Sequence, residues 1–168
     1  MAADAARFLW RDSPVVSETA QTTVEAPAVK PTVADAMHWG LVQCAPEASL
    51  REVARLMADA VVHCVVVIDA PDDHAALWGV VSDLDLVAAA TVRSLDDQRA
   101  GGTAMTPAVT AFPHESLESA AERMTAHGVS HLVVVDDARR RPLGVMSTLD
   151  LVRTFAVATP ERRCHVCA

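Results

Sequence analysis

Three observations predict a mixed α/β (α+β) fold built from two βαββα repeats. The pattern Gly, two apolar residues, Ser, any residue, Leu, Asp occurs twice, as Gly79-Val80-Val81-Ser82-Asp83-Leu84-Asp85 and as Gly144-Val145-Met146-Ser147-Thr148-Leu149-Asp150. A Val-rich run closed by Asp precedes each copy: Val65-Val66-Val67-Ile68-Asp69, and Leu132-Val133-Val134-Val135-Asp136. Further upstream, Leu50, Val53, Ala54 and Met57 form an apolar stripe at spacings of three, four and seven, answered by Leu117, Ala120, Ala121 and Met124. Repetition of the same signals in the same order marks one supersecondary unit used twice. The chain divides into a tail over 1–31, a first repeat over 32–98, a second over 99–158 and a tail over 159–168.

The elements follow in order. Residues 1–31 carry Pro14, Pro27 and Pro31 and no sustained periodicity, with Phe8, Leu9 and Trp10 as their one apolar cluster. Thr32 is placed to cap a short helix through Met37, and Leu41 to Cys44 reads as a short strand. Ser49-Leu50-Arg51-Glu52 is a capping box that opens the first long helix. Val65 to Ile68 is continuously apolar and β-branched, as in a strand covered on both faces. After the Pro71-Asp72-Asp73 turn, Ala76 to Val81 forms the next strand, and a helix starts near Asp83 and runs into the Asp96-Asp97 region. That helix and its counterpart, Leu149 to Val157, are apolar on more than one side, which predicts burial. Gly101-Gly102 reads as the hinge between repeats, and Ala104-Met105 answers Ala36-Met37. The second repeat continues through 107–111, a helix from Ser116 to His127 stopped by Gly128, and strands over Leu132 to Val135 and Leu143 to Met146.

Each repeated motif places Ser and Asp at the mouth of a helix, where two chemistries fit. Ser three residues before Asp suits capping, in which the hydroxyl accepts from a free backbone N–H and the acid favours the positive helix end. The same free amides and hydroxyl suit a phosphate, while an ionised Asp has two oxygens for the neighbouring hydroxyls of a ribose.

The Met-led entry, the amphipathic helix, the Val-rich strand ending in Asp and the duplicated Gly-x-x-Ser-x-x-Asp together resemble a tandem pair of cystathionine-beta-synthase (CBS) domains, the regulatory Bateman module. The resemblance covers about three quarters of the chain. It implies one pseudo-two-fold module, a homodimer through the apolar helices, and an adenosine-containing ligand such as AMP, ADP or ATP in clefts between the repeats. By position it implies that Asp85 and Asp150 hold ribose hydroxyls. Ser82 and Ser147, followed by Asp83 and Thr148 at the helix N-termini, would face phosphate or ribose, and strand residues near Val42 and Val109 would offer backbone groups to adenine. Family members that bind phosphates often carry His-Arg before the central strand. Here those positions are His63-Cys64 and Ser130-His131, so the Arg is missing from both copies. Neutral His contributes charge only below about pH 6.5, which disfavours ATP relative to AMP. His38, His74, His114 and His127 have no evident partner in the sequence.

Composition bounds the rest. A net charge of −8 and a pI near 5.2 argue against a general nucleic-acid binder, because phosphate neutralisation needs clustered Lys and Arg. The one basic run, Arg139-Arg140-Arg141, lies in a hairpin loop. No apolar run approaches the roughly 18 residues of a membrane span, so the expectation is a cytoplasmic protein. Cys44 and Cys64 read as small hydrophobes. Cys164 and Cys167 have CxxC spacing, which suits part of a zinc site or a redox pair as well as an unstructured tail. There is no HExxH or Walker-type loop. The expectation is a sensor and not an enzyme, with no required cofactor and its target protein elsewhere. Two further readings stay open: a dimeric interaction module without nucleotide, and a metal- or redox-responsive protein acting through the CxxC.

Overall fold

The computed structural model describes residues 30–69, 76–138 and 141–157. The first half runs α1 (Val33–Ala36), β1 (His38–Trp39), β2 (Gln43–Cys44), α2 (Leu50–Ala60), β3 (Cys64–Asp69), β4 (Ala76–Ser82) and α3 (Asp83–Ala90). The second half runs α4 (Ala100–Thr103), β5 (Thr110–Ala111), α5 (Leu117–His127), β6 (His131–Val135), β7 (Pro142–Ser147) and α6 (Thr148–Val157). In each repeat a short strand pairs in parallel with the Val-rich strand through a helical crossover, β2 with β3 and β5 with β6. The Val-rich strand then pairs antiparallel with the strand that carries the motif.

The Val-rich strands are buried on both faces because each face meets a different layer. Val65 and Val67 pack with Leu50, Val53 and Met57 of α2, while Leu132 and Val134 pack with Leu117, Ala120 and Met124 of α5. The alternate residues Val66, Ile68, Val133 and Val135 form a third cluster in which the two sheets meet. Burying such a side chain contributes roughly 1.5–3 kcal/mol. Four of them at one seam are comparable with the whole stability of a small protein, about 5–15 kcal/mol. The two repeats therefore share one apolar seam.

The opening segments cross over. β1 joins the sheet of the second repeat, antiparallel to β7, with His38 opposite Val145 and Trp39 opposite Gly144. The reciprocal contact is made by Met105, bridged to Val80 of the first repeat. This explains the glycine of the motif. A Cβ on Gly144 would collide with the His38 carbonyl oxygen, and one on Gly79 would stand 2.5 Å from that of Met105.

Several expectations need correction. Met105 is the counterpart of His38, one residue out from the sequence alignment: it lies opposite Val80 as His38 lies opposite Val145. Helix α3 ends at Ala90 instead of reaching Asp96-Asp97. The Thr91 hydroxyl donates to the Ala88 carbonyl, and the Gln98 amide donates to the carbonyls of Ala89, Arg93 and Ser94, so the freed backbone acceptors are taken by side chains. Gly101 and Gly102 lie inside α4, where Gly101 packs against Pro46 with no room for a Cβ. Helices α3 and α6 leave Leu84, Val87, Val152 and Phe155 facing solvent in the single chain, so the burial expected of them is not made against the other repeat and would need a second chain. The capping elements hold. Ser49 accepts from the Glu52 amide, Ser116 from that of Ser119, and Gly128 closes α5 in the left-handed region. The 159–168 tail, His74 and the Phe8-Leu9-Trp10 cluster lie outside the described residues.

Candidate functional site

Ser82 and Ser147 end their strands in extended backbone and cap the helices that follow, and in both copies the sequence pattern closes into a reciprocal box. The Ser147 amide and hydroxyl both donate to Asp150 Oδ2, at 2.8 and 2.6 Å, and the Asp150 amide donates back to the Ser147 hydroxyl at 3.3 Å. Ser82 and Asp85 repeat this at 2.7, 2.7 and 3.3 Å. Thr32 and Asp35 make a similar box at α1, and the Thr32 amide together with its hydroxyl holds the Asp35 carboxyl below the usual carboxylate range. Capping thus occupies one carboxylate oxygen of Asp150 and leaves Oδ1. The helix amides are largely committed too, with Thr148 N–H donating to the Ser130 carbonyl and Asp83 N–H to that of His63.

Asp150 is the one buried charged side chain among the described residues, 5% exposed. It opens onto a cleft of about 650 Å³ between the repeats. The second repeat supplies Ser147, Leu149, Asp150 and Arg153, with His131 at the head of β6. The first supplies Leu41, Val42, the turn over 60–63 and Cys64. The crossed-over strand adds His38 and Trp39. His38 Nδ1 stands 3.4 Å from Asp150 Oδ2, and an Arg153 guanidinium nitrogen 3.8 Å from Oδ1.

Of the residues singled out in the sequence, the cleft gathers Val42, His63, His131, Ser147 and Asp150. Ser82, Asp83, Asp85, Val109 and Thr148 do not line it. Ser82, Asp85 and Val109 occupy the pseudo-symmetric positions on the other side, and Asp83 is reached through His63, whose Nδ1 lies 2.8 Å from its carboxylate. That hydrogen bond holds the Asp83 carboxyl below its usual range. Burial pushes the His131 imidazole down, against the opposing pull of Asp83.

His38, Trp39 and Arg153 were missed. His38 and Trp39 belong in sequence to the first repeat, and only the strand exchange carries them to the second repeat's motif. Arg153 follows Asp150 by three residues, one turn along α6, which is the signal that could have found it. Val61 is also new: it ends α2 with φ 54°, a left-handed conformation that β-branched residues rarely adopt, and it lines the cleft.

Burial pushes the Cys64 thiol up to about 12 and the Cys44 thiol up to about 11, so neither is a ready thiolate. Among the described residues no three His, Cys, Asp or Glu side chains are grouped to hold a metal. Cys164 and Cys167 lie outside those residues. No described helix is long and apolar enough to cross a membrane.

The CBS domain profile matches the chain twice, over residues 33–91 and 102–157. Among proteins of curated function none matches in sequence. Solved structures do match. The CBS domain pair of protein MJ0100, in complex with 5′-methylthioadenosine and S-adenosyl-L-methionine, has a TM-score of 0.67 at 22% identity, covering 77% of this chain and 99% of that one. CBSX2 in complex with AMP has a TM-score of 0.62 at 26% identity over 76% and 97%. The CBS-domain protein ATU1752 from Agrobacterium tumefaciens has 0.67 at 21% over 79% and 99%. The doubled profile match, the two interlocked repeats and the agreement with solved domain pairs lead to one conclusion: the chain belongs to the CBS domain family, as a tandem pair.

Proposed function

We propose that this CBS pair is a cytoplasmic regulatory module that binds an adenosine-containing ligand in the cleft between its repeats and passes the bound state to a protein partner. The observation that carries the reading is Asp150: a buried carboxylate in the lining of the cleft, with Oδ2 engaged in the helix cap and Oδ1 making no hydrogen bond among the described residues and standing 3.8 Å from the Arg153 guanidinium. A carboxylate is the natural acceptor for the paired hydroxyls of a ribose. Support comes from two similar domain pairs that bind AMP or the adenosine compounds 5′-methylthioadenosine and S-adenosylmethionine. The role is regulatory and not catalytic, and no cofactor is required for it.

The test is a thermal-melt panel with AMP, ADP, ATP, NAD and S-adenosylmethionine. A ligand at 100 times its dissociation constant stabilises by about 2.7 kcal/mol, which raises the midpoint by about 5 to 10 °C at this size. A rise with an adenosine compound is the expected result.

The same reading includes a homodimer. Leu84 and Val87 on α3, with Leu149, Val152 and Phe155 on α6, are each about half or more exposed, on two helices related by the internal repeat. A self-complementary apolar face of this kind is what a two-fold dimer buries. A flat melt panel from a stable dimer would instead select an interaction module that works without nucleotide.

A further inference from the structure

The cleft between the repeats has an apolar rim that the described part of the chain leaves uncovered. Trp39, on β1 at the edge of the second sheet, is 64% exposed and makes no hydrogen bond or ring contact among the described residues. Val61, at the end of α2 in the first repeat, is 85% exposed, and both residues line the same cleft. Val61 is also held at φ 54°, where its counterpart at the end of α5 is Gly128. A β-branched residue is strained in that left-handed region and glycine is not. Strain kept at an exposed apolar side chain points to a contact that the side chain makes.

The charge beside this rim is also uneven. Helix α2 carries Asp59 in its last turn and no basic residue there, and Asp59 makes no hydrogen bond or ion pair among the described residues. A helix C-terminus favours cations, so Asp59 adds to the partial negative charge that a basic residue would offset. Helix α5 ends with His127 instead. The cover that fits this rim is aromatic at its centre and cationic at its flanks.

The chain holds one segment of that composition outside the described residues. Arg7-Phe8-Leu9-Trp10-Arg11 contains the only aromatic residues before Lys30 and the only basic ones. Reach does not limit it. Nineteen residue steps from Arg11 to Lys30 span up to about 65 Å, whereas the nine from Lys30 to Trp39 span at most about 32 Å. A tethered segment also acts at an effective concentration of about a millimolar, so a contact too weak to hold a free peptide is enough.

We propose that the Arg7–Arg11 segment of the chain docks on the rim of the cleft, with Phe8 and Trp10 against Trp39 and Val61 and the flanking arginines at the C-terminus of α2. Seated there, it lies across the opening, and access to the cleft depends on its release. The contact stands on the rim and the segment and does not rest on the adenosine-ligand reading.

Limited trypsin digestion of the full chain, read by mass spectrometry, tests it, because cleavage after Arg7 and Arg11 tracks the population in which the segment is undocked. A free peptide of residues 1–20 sets the unprotected rate. The expected result is cleavage of the wild-type chain at these two bonds about tenfold more slowly than of the peptide, and a rate within about twofold of the peptide in Val61→Gly and in Trp39→Ser. Val61→Gly relieves the backbone and Trp39 is an exposed side chain, and circular dichroism melts confirm that both variants fold. A wild-type chain cut as fast as the peptide overturns the proposal. Protection that survives both rim variants overturns it too, and its loss in Val152→Asp would then seat the segment on the apolar faces of α3 and α6. Protection that vanishes on about hundredfold dilution belongs to a second copy and overturns the assignment to the chain's own segment.

Discussion

Asp150 and Asp35 pose the same local chemistry with different surroundings. Each accepts from the amide and hydroxyl of the residue three before it, but Asp35 is exposed at a helix of four residues and Asp150 is buried at a cleft. Asp35→Ala is expected to lower the melting midpoint only slightly, because the carboxylate it removes is fully exposed, and to leave ligand-induced stabilisation unchanged. Asp150→Ala is expected to lose about 1–2 kcal/mol and to abolish that stabilisation as well. Melts of both variants with and without AMP separate the two roles; equal ligand shifts in both would assign Asp150 to capping alone. His131 gives a pH prediction. Its folded pKa lies below the ordinary 6.5, so the unfolded chain takes up the proton first. Stability is then full above about pH 6.5 and falls as the pH drops from there toward the folded pKa, where the loss stops. Melts of His131→Gln between pH 5 and 7.5 should show a shallower acid decline than those of the wild type.

At the scale of the element, the repeat was legible because its signals are local. Helical stripes, β-branched runs and Ser-x-x-Asp each declare themselves within a dozen residues, and α2, α5, β3 and β6 appear where those signals place them. What the signals could not show was which sheet β1 would join, since pairing between distant segments leaves no periodicity. The one-residue slip at Met105 and the missed His38 and Trp39 come from that single source. The end of α3 was hidden differently, by a glutamine eight residues beyond it that captures the Ala89 carbonyl. Two substitutions test the elements as described. Val61→Gly should raise the melting midpoint by roughly 2–4 °C by releasing a left-handed β-branched residue worth about 1 kcal/mol. Gly79→Ala should lower stability by 2 kcal/mol or more, about the upper range for an ordinary substitution, because backbone occupies the space the methyl needs. Urea unfolding of each variant reads the sign directly.

The whole molecule shows why half of the candidate site was invisible in sequence. The motif names two carboxylates symmetrically, yet only the surroundings, contributed by the opposite repeat and by the crossed-over strand, make the two sides different. Val152→Asp, on the exposed face of α6, is expected to leave the fold intact and to lower the mass in light scattering from that of the proposed dimer to that of a monomer, because it places a charge on the apolar face that the proposed dimer buries. An unchanged mass would overturn the assignment of α6 to a dimer contact. The exchange of opening segments also has a consequence for heredity of the fold. A chain severed near residue 98 would leave each piece holding a part of the other: the first would keep β1 and α1, which complete the second sheet, and the second would keep α4 and Met105, which close the first. Two separately expressed halves should therefore be poorly folded alone and should reassemble on mixing, so that a gene split at this point would still encode one working protein.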